Sequence, residues 1–242
     1  MKERYQKLVN GLRNFCQENN FSQAVVAVSG GIDSALTLKI AVDSLGKKNV
    51  QSIFMPDSEA TSEESKNCAH KITDFCQTKL ITQSIDDFIG FSEDLAWKEK
   101  NQARANFKAR IRMSLLYHFA NSYKALVLGT CNKTEIMTGY FTKFGDGGAD
   151  LEVIGDLFKT EVFAITRAVN IPSSIINRAP TAELLPDQKD EIDLGAKYEE
   201  IDPILRKIIN QEAITTDLEK KILTFVENAR HKNGKIPVLS AR

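Results

Sequence analysis

The sequence predicts a single-domain, doubly wound parallel sheet flanked by helices. Three observations carry that prediction. Short runs of small and β-branched apolar residues, led by Val25-Val26-Ala27-Val28, are bounded by glycine or proline in the manner of fully buried strands. Segments with apolar residues at helical spacing separate those runs. The order strand, helix, strand, helix, strand then pairs the strands in parallel through right-handed crossovers.

Taken in order, residues 3–18 read as a helix with Leu8, Val9, Leu12, Phe15 and Cys16 on one face. The first strand, Val25 to Val28, runs into Ser29-Gly30-Gly31, and a helix follows to about Leu45, where Gly46 stops it. Val50 to Met55 is a second strand, halted by Pro56. Residues 57–65 are polar and read as a loop passing into a helix that carries Cys68, Ile72 and Phe75. A third strand near Lys79-Leu80-Ile81 leads to a helix start at Ile85-Asp86-Asp87-Phe88. Residues 106–121 are helical, with Ile111, Leu115 and Phe119 in register, and Ala125 to Leu128 is a further buried strand ending at Gly129.

The glycine-rich stretch 144–150 separates that strand from a helix over residues 157–169, with Asp156 as its cap. Asp202-Pro203 has the form of a helix start, a capping residue followed by proline at the first helical position. Leu218, Ile222, Phe225 and Val226 mark the last helix, and the chain reads as irregular from His231. No repeat, low-complexity tract or domain boundary interrupts the 242 residues, so one domain over 1–242 is expected.

Composition narrows the function classes. Lysine plus arginine and aspartate plus glutamate balance at 32 each, so no bulk charge draws the chain to nucleic acid or membrane, and neither is an expected partner. The four cysteines, Cys16, Cys68, Cys76 and Cys131, form no CxxC pair. Met1-Lys2-Glu3-Arg4 leads into an amphipathic stretch, not a signal peptide, and no apolar run is long enough to span a membrane. Reduced thiols in a cytoplasm are the expectation.

The chemistry concentrates after two strands. Glycines at 30 and 31 permit positive φ and close approach of backbone N–H groups to an anion, and the helix start behind them adds free N–H groups. No Gly-Lys-Ser/Thr follows, as a Walker loop requires, and the third glycine of a dinucleotide fingerprint is missing. The loop offers instead the hydroxyls of Ser29 and Ser34 and the carboxylate of Asp33. A carboxylate beside a phosphate makes sense where a divalent cation bridges them; the plain alternative is a strand-turn-helix corner with Asp33 as a helix cap. The second segment, Gly129 to Asp150, holds Thr130, Glu135, Lys143, Asp146 and Asp150.

Ser29-Gly30-Gly31-Ile32-Asp33-Ser34 resembles the pyrophosphate loop SGGxDS of the ATP pyrophosphatases, a superfamily with a Rossmann-like sheet that splits ATP into AMP and pyrophosphate. Glu135-Ile136-Met137-Thr138-Gly139-Tyr140-Phe141-Thr142-Lys143-Phe144-Gly145-Asp146-Gly147-Gly148-Ala149-Asp150 narrows the resemblance to the NAD synthetase family. Asn106 to Met113, Pro180-Thr181-Ala182-Glu183-Leu184 and His231-Lys232 are similar to the same family in the same order, so the resemblance spans essentially the whole chain. One departure is Ile32, where many members have glutamine.

The resemblance implies ATP-dependent amidation of deamido-NAD by ammonia, through an adenylate of the nicotinate carboxylate, to give NAD, AMP and pyrophosphate. It implies that Ser29, Gly30, Gly31, Asp33, Ser34, Thr130, Lys159 and Thr181 contact ATP, and that Asp33 and Glu135 ligate Mg²⁺. It assigns Arg110, Lys143, Asp150, His231 and Lys232 to deamido-NAD. The expected catalytic set is Asp33, Glu135, Lys159 and Asp146, with Asp146 a candidate for positioning or deprotonating ammonium. The family also implies a homodimer, which an exposed apolar face on residues 106–121 would support. The charged stretch 185–193 reads as a solvated linker in the free protein that closes over the adenylate and excludes water. Together with residues 57–65, the region 184–195 is expected to be mobile until ligands bind. Two other readings stand beside this one: another ATP-pyrophosphatase-type amidating or thiolating enzyme, and a non-catalytic nucleotide-binding protein of similar topology.

Overall fold

Five parallel strands in the order β3-β2-β1-β4-β5 place the first strand at the centre of the sheet. They are β1 (Gln23–Ala27), β2 (Val50–Phe54), β3 (Leu80–Thr82), β4 (Ala125–Gly129) and β5 (Leu151–Glu152). The computed structural model describes residues 1–185 and 188–241. The helices among them are α1 (Lys2–Glu18), α2 (Ile32–Leu45), α3 (Glu63–Cys76), α4 (Asp86–Gly90), α5 (Asn101–Tyr123), α6 (Lys133–Thr138), α7 (Lys159–Ala168), α8 (Ser173–Ile176), α9 (Asp190–Leu194), α10 (Tyr198–Ile209) and α11 (Asp217–Asn233).

Alternation along the strands sends side chains to two cores. Ala24 and Val26 of β1, with Leu126 and Leu128 of β4, pack against α1, α2, α3, α7 and α8 through Val9, Leu36, Ile72, Val162 and Ile175. Val25 and Val127 face the other way, onto Ile111, Leu116 and Ala120 of α5 and Ile89 of α4. Burial of each such Leu or Ile is worth roughly 1.5–3 kcal/mol. A third, smaller core joins α10 and α11 to Phe158 and Leu194 through Tyr198, Ile201, Leu205 and Ile222.

The strand order reverses between β1 and β4: β2 lies on one side of β1 and β4 on the other. The segments leaving the carboxyl ends of these two strands therefore splay apart and open a crevice. The loop after β1, Asp33, Glu135 and Lys159 meet at that crevice.

Several local expectations are corrected. The helix expected from residue 106 begins at Asn101, and Phe75 lies exposed while Ala69, Ile72 and Cys76 make the inward face of α3. Asp156 does not cap α7; the cap position is Phe158, whose N–H donates to Glu161 Oε2 at 3.0 Å, and Asp156 pairs with Lys133 instead. Asp202-Pro203 does not start a helix, because α10 begins at Tyr198 and carries Pro203 inside it. The last helix continues past His231 to Asn233. Three short elements were not expected, the six-residue α6, the four-residue α8 and the two-residue β5.

The polar segment 57–65 is tied down. Asp57 is buried; its Oδ1 accepts from Lys108 Nζ at 2.9 Å and its Oδ2 from Arg112 Nη2 at 2.8 Å. The charged stretch expected as a solvated linker contains α9, with Asp190 and Leu194 buried, while Pro186 and Asp187 of that stretch lie outside the described residues. All four cysteines are free and buried, and burial pushes each thiol above its ordinary range, Cys76 up to about 12.

Candidate active site

The loop after β1 is shaped by its own hydroxyls. Ser29 N–H donates to Ser34 Oγ at 3.2 Å, Gly31 N–H to Ser29 Oγ at 3.2 Å, and Ser34 Oγ–H to the Gly31 carbonyl at 3.0 Å. Gly30 has φ of +83°, and a Cβ there would overlap the Ser65 carbonyl oxygen, so glycine is required twice over. Gly31 occupies the N-cap of α2 with no side chain over the helix end, which leaves the first N–H groups of α2 facing the crevice.

The segment after β4 delivers a carboxylate to the same place. Asn132 is fully buried and caps α6, accepting from Glu135 N–H at 3.0 Å, while Glu135 Oε2 accepts from Asn132 N–H at 3.0 Å. This reciprocal box fixes the Glu135 side chain. Asn132 Nδ2 then reaches across to Asp33 Oδ1 at 2.9 Å, joining the two loops. The other Asp33 oxygen accepts from Lys159 Nζ at 2.5 Å, and Lys159 also lies 3.5 Å from Glu135 Oε1 and over the Tyr198 ring.

Electrostatics follow from that crowding. Burial, then the neighbouring Asp33 charge, raises the Glu135 carboxyl to about 8, against the pull of Lys159. Burial works against the Lys159 ammonium, but Asp33 and Glu135 override it and hold the ammonium above the ordinary lysine value. Asp190, close by, is raised by burial although the hydroxyls of Tyr140 and Tyr198 donate to it. Two carboxylates sharing one ammonium, with a third beside them, leave negative charge that an added cation would relieve. The donors fit Mg²⁺ in that sense. Among the described residues no cluster of three or more acidic, histidine or cysteine side chains is arranged for a metal, so phosphate oxygens and water would have to complete the shell.

The crevice is lined by Ser29, Gly31, Asp33, Ser34, Thr130, Glu135, Lys159, Thr181 and Asp146, which brings together the expected phosphate, metal and catalytic residues; Gly30 lies behind the lining. Thr181 Oγ1 donates to the Gln188 carbonyl at 2.6 Å and accepts from Glu183 N–H at 3.2 Å. Glu183, at φ of +45°, accepts from Ser62, Ser65 and Arg178 and ties this wall to α3. Asp146 Oδ1 accepts from Thr142 N–H at 2.8 Å, and the surrounding walls push its carboxyl above the ordinary carboxylate range.

The residues assigned to deamido-NAD lie elsewhere. None of Arg110, Lys143, Asp150, His231 and Lys232 lines the crevice. Arg110 Nε donates to the Lys143 carbonyl at 3.3 Å, and Lys143 Nζ to the His231 carbonyl at 2.5 Å. Lys232 Nζ donates to the carbonyls of Gly139 and Phe141 at 2.7 and 2.8 Å, and burial lowers its pKa. These four form one contiguous surface. Asp150 stands apart, held by Tyr117 Oη–H and Val127 N–H at 2.9 Å each.

Other lining residues escaped sequence reasoning. Arg112, held by the Met55 carbonyl at 2.9 Å and by Asp57, faces the crevice, as do Arg178, Tyr140 and Asp190. Asn132 had a readable signal, the Asn-x-x-Glu spacing of a capping box; Arg112 sat two residues from Arg110 in a segment already singled out.

The sequence matches the family described as NAD synthase over residues 4–235. The chain belongs to that family. The NH3-dependent NAD+ synthetase of Archaeoglobus fulgidus is 36% identical over 237 residues, covering 98% of this chain and 96% of that one. Among solved structures, the NMN synthetase of Francisella tularensis superposes with a TM-score of 0.90 at 30% identity, over 100% of this chain and 98% of that one. The NH3-dependent NAD synthetase of Campylobacter jejuni superposes at 0.80 with 26% identity, over 98% and 99%. Membership of the NAD synthase family agrees with the five-stranded parallel sheet and with the site at its point of reversal.

Proposed function

We propose that this NAD synthase family chain catalyses ATP-dependent amidation of deamido-NAD by ammonia. The observation that carries the reading is the meeting of Asp33, Glu135 and Lys159 at the mouth of a glycine loop, between the carboxyl ends of β1 and β4. A carboxylate is a poor electrophile, so an oxygen of the nicotinate carboxylate attacks the α-phosphorus of ATP and pyrophosphate leaves. Ammonia then attacks the acyl carbon of the adenylate, AMP leaves, and a proton is lost. The chain supplies no nucleophile; it aligns two polyanions and offsets their charge.

Ser29, Gly31 and Ser34 offer hydroxyls and backbone N–H groups to the ATP phosphates, with Thr130 and Thr181 along the same walls. Lys159 brings an ammonium to the phosphates, held ready by two carboxylates. Mg²⁺ held by Asp33 and Glu135 would neutralise phosphate charge in both ground and transition states. Asp146 orients the incoming ammonia. The contiguous surface of Arg110, Lys143, His231 and Lys232 takes the remainder of the dinucleotide, while Asp150, apart from it, holds Tyr117 and the β4 backbone. Incubation of the purified chain with ATP, Mg²⁺, deamido-NAD and ammonium, followed by chromatography for NAD and AMP, tests the reading; no NAD above a no-enzyme control would sink it.

A second reading has its own support. The Francisella tularensis NMN synthetase superposes over the whole chain, and the residues assigned to the dinucleotide lie outside the crevice, bonded largely to one another or to backbone. Nicotinate mononucleotide would need no contacts there. Paired kcat/KM measurements with deamido-NAD and nicotinate mononucleotide decide between the substrates.

We further read the nitrogen donor as free ammonia, the working form as a homodimer and the location as the cytoplasm. The names of the curated relatives support the first. For the second, Phe91 and Trp97, 76% and 67% exposed, offer apolar surface just ahead of α5, whereas Leu115 and Phe119 on α5 pack partly into the core. Four free thiols agree with the third, and among the described residues no helix is long and apolar enough to cross a membrane. Glutamine supporting amidation as well as ammonium would refute the first; a monomer in sedimentation at working concentration would refute the second.

A further inference from the structure

Asp202 is a buried carboxylate that the reaction as described leaves without a task. It is 1% exposed in the middle of α10, and among the described residues no lysine or arginine pairs with it. Its Oδ1 accepts from Thr134 Oγ1 at 2.6 Å, and its Oδ2 from Thr160 N–H at 2.8 Å and Thr160 Oγ1 at 2.7 Å. Thr134 Oγ1 in turn accepts from Lys159 N–H at 3.0 Å. A carboxylate buried without a cation is costly, and it persists here because three donors and the start of α7 stabilise its charge.

The identity of the donors matters more than their number. Thr134 immediately precedes Glu135, and Thr160 immediately follows Lys159. The N-cap Phe158 offers α7 no side-chain acceptor, and Glu161 of α7 takes only the Phe158 N–H. The first two N–H groups of α7 are taken by Thr134 and by Asp202, so α6 and α10 together finish an end that α7 cannot finish alone. The spacing between Glu135 and Lys159 is thus set by one carboxylate gripping the neighbour of each.

We propose that Asp202 is a positioning residue for the reaction, fixing Glu135 and Lys159 relative to one another without touching substrate. The proposal rests on the ligase reading of the Asp33, Glu135 and Lys159 set. It separates two roles that α10 otherwise confounds, packing through Leu205, which is fully buried in the third core, and alignment through Asp202.

The test uses the full chain and four proteins: wild type, Asp202→Asn, Thr134→Val and Leu205→Ala. Thermal melts and steady-state kcat and KM for ATP and for the amidated substrate are measured for each. Asparagine offers one acceptor oxygen where aspartate offers two, so one grip is lost. Misplacement on the ångström scale costs about 100-fold in rate, so Asp202→Asn is expected to lower kcat by roughly ten- to a hundredfold while both KM values stay within about threefold. Thr134→Val keeps the volume, removes the hydroxyl shared by Asp202 and Lys159 N–H, and gives the same kcat-weighted loss even if Asp202→Asn fails to fold. Leu205→Ala lowers the melting temperature by opening a cavity, yet keeps kcat within about twofold below its melt. Wild-type kcat in a folded Asp202→Asn or in Thr134→Val, or a loss in Leu205→Ala that matches theirs, overturns the proposal. An inactive wild type on both deamido-NAD and nicotinate mononucleotide would instead remove the ligase reading, so the two failures are distinct.

Discussion

Lys159 and Asp33 lie 126 positions apart in the chain and meet with Nζ 2.5 Å from Oδ2. Glu135 Oε1 stands 3.5 Å from the same ammonium, so a single cation serves two acidic groups drawn from the ends of two neighbouring strands. Without that cation the two carboxyl groups would share a largely buried site, where burial and the neighbouring Asp33 charge already favour the neutral form of Glu135.

Lys159→Ala is therefore expected to harm both fold and rate. Removing one member of a buried ion pair costs about 3–5 kcal/mol when its partners stay charged. Turnover should fall by about 100-fold or more. Urea denaturation and NAD formation, read on the same preparation, check this; an unchanged melt would show that Asp33 and Glu135 do not depend on the ammonium.

Asp33→Asn and Glu135→Gln should each leave the fold intact and cripple turnover, again by about 100-fold or more, if both carboxylates stabilise charge that develops on the phosphates. The isosteric amides preserve volume. Wild-type rates at saturating Mg²⁺ in either variant would remove that residue from the set.

Glu161, two residues beyond Lys159 in α7, gives a pH prediction that concerns stability. Its carboxylate joins α7 to α1 and α10, accepting from Arg4 Nη1 at 2.8 Å, Arg206 Nη2 at 2.6 Å and Phe158 N–H at 3.0 Å. Burial opposes its charge, but these donors win and hold the folded pKa down to about 2. A depressed folded pKa contributes stability that is complete above the unfolded value near ~4.3 and is lost as pH falls through about 2. Glu161→Gln should thus be about 1–3 kcal/mol less stable at neutral pH. The gap should close between those two pKa values, and denaturant melts showing a gap independent of pH would contradict the assignment.

Two glycine substitutions should act in opposite directions. Gly30→Ala drives a Cβ into the Ser65 backbone at positive φ, where neither partner can yield cheaply. It should cost about 1–3 kcal/mol or more and abolish ATP binding measured by calorimetry. Gly11 lies within α1 with open space around it. Gly11→Ala should stabilise by about 0.5–1 kcal/mol with no effect on rate.

Strands β1 to β4, their parallel pairing and the crevice after β1 and β4 were legible because strand burial and glycine turns write themselves in local sequence. What escaped depends on distant partners. Asp202 followed by Pro203 carries the local signature of a helix start, yet its carboxylate serves the start of α7, 42 positions away from Thr160. Residues 57–65 look like loop because no apolar period runs through them; Asp57 is buried by Lys108 and Arg112, 51 and 55 positions on. Helix α6 spans less than two turns, too short for periodicity to register. The residues that the motifs assign to phosphate, metal and catalysis converge on one crevice, Gly30 excepted, whereas the five that the motifs assign to the dinucleotide do not line it.

The thiol of Cys131 lies against the Asp146 carbonyl in the wall of the crevice, where burial and then the charges of Glu152, Asp146, Glu135 and Asp33 suppress its ionisation. Alkylating reagents attack thiolates, so this side chain is silent while the walls are closed and reacts only when they part. Its modification rate is therefore a built-in clock for breathing of the crevice. With Cys16, Cys68 and Cys76 buried in the opposite core as internal references, the native protein reports its own opening without an engineered label.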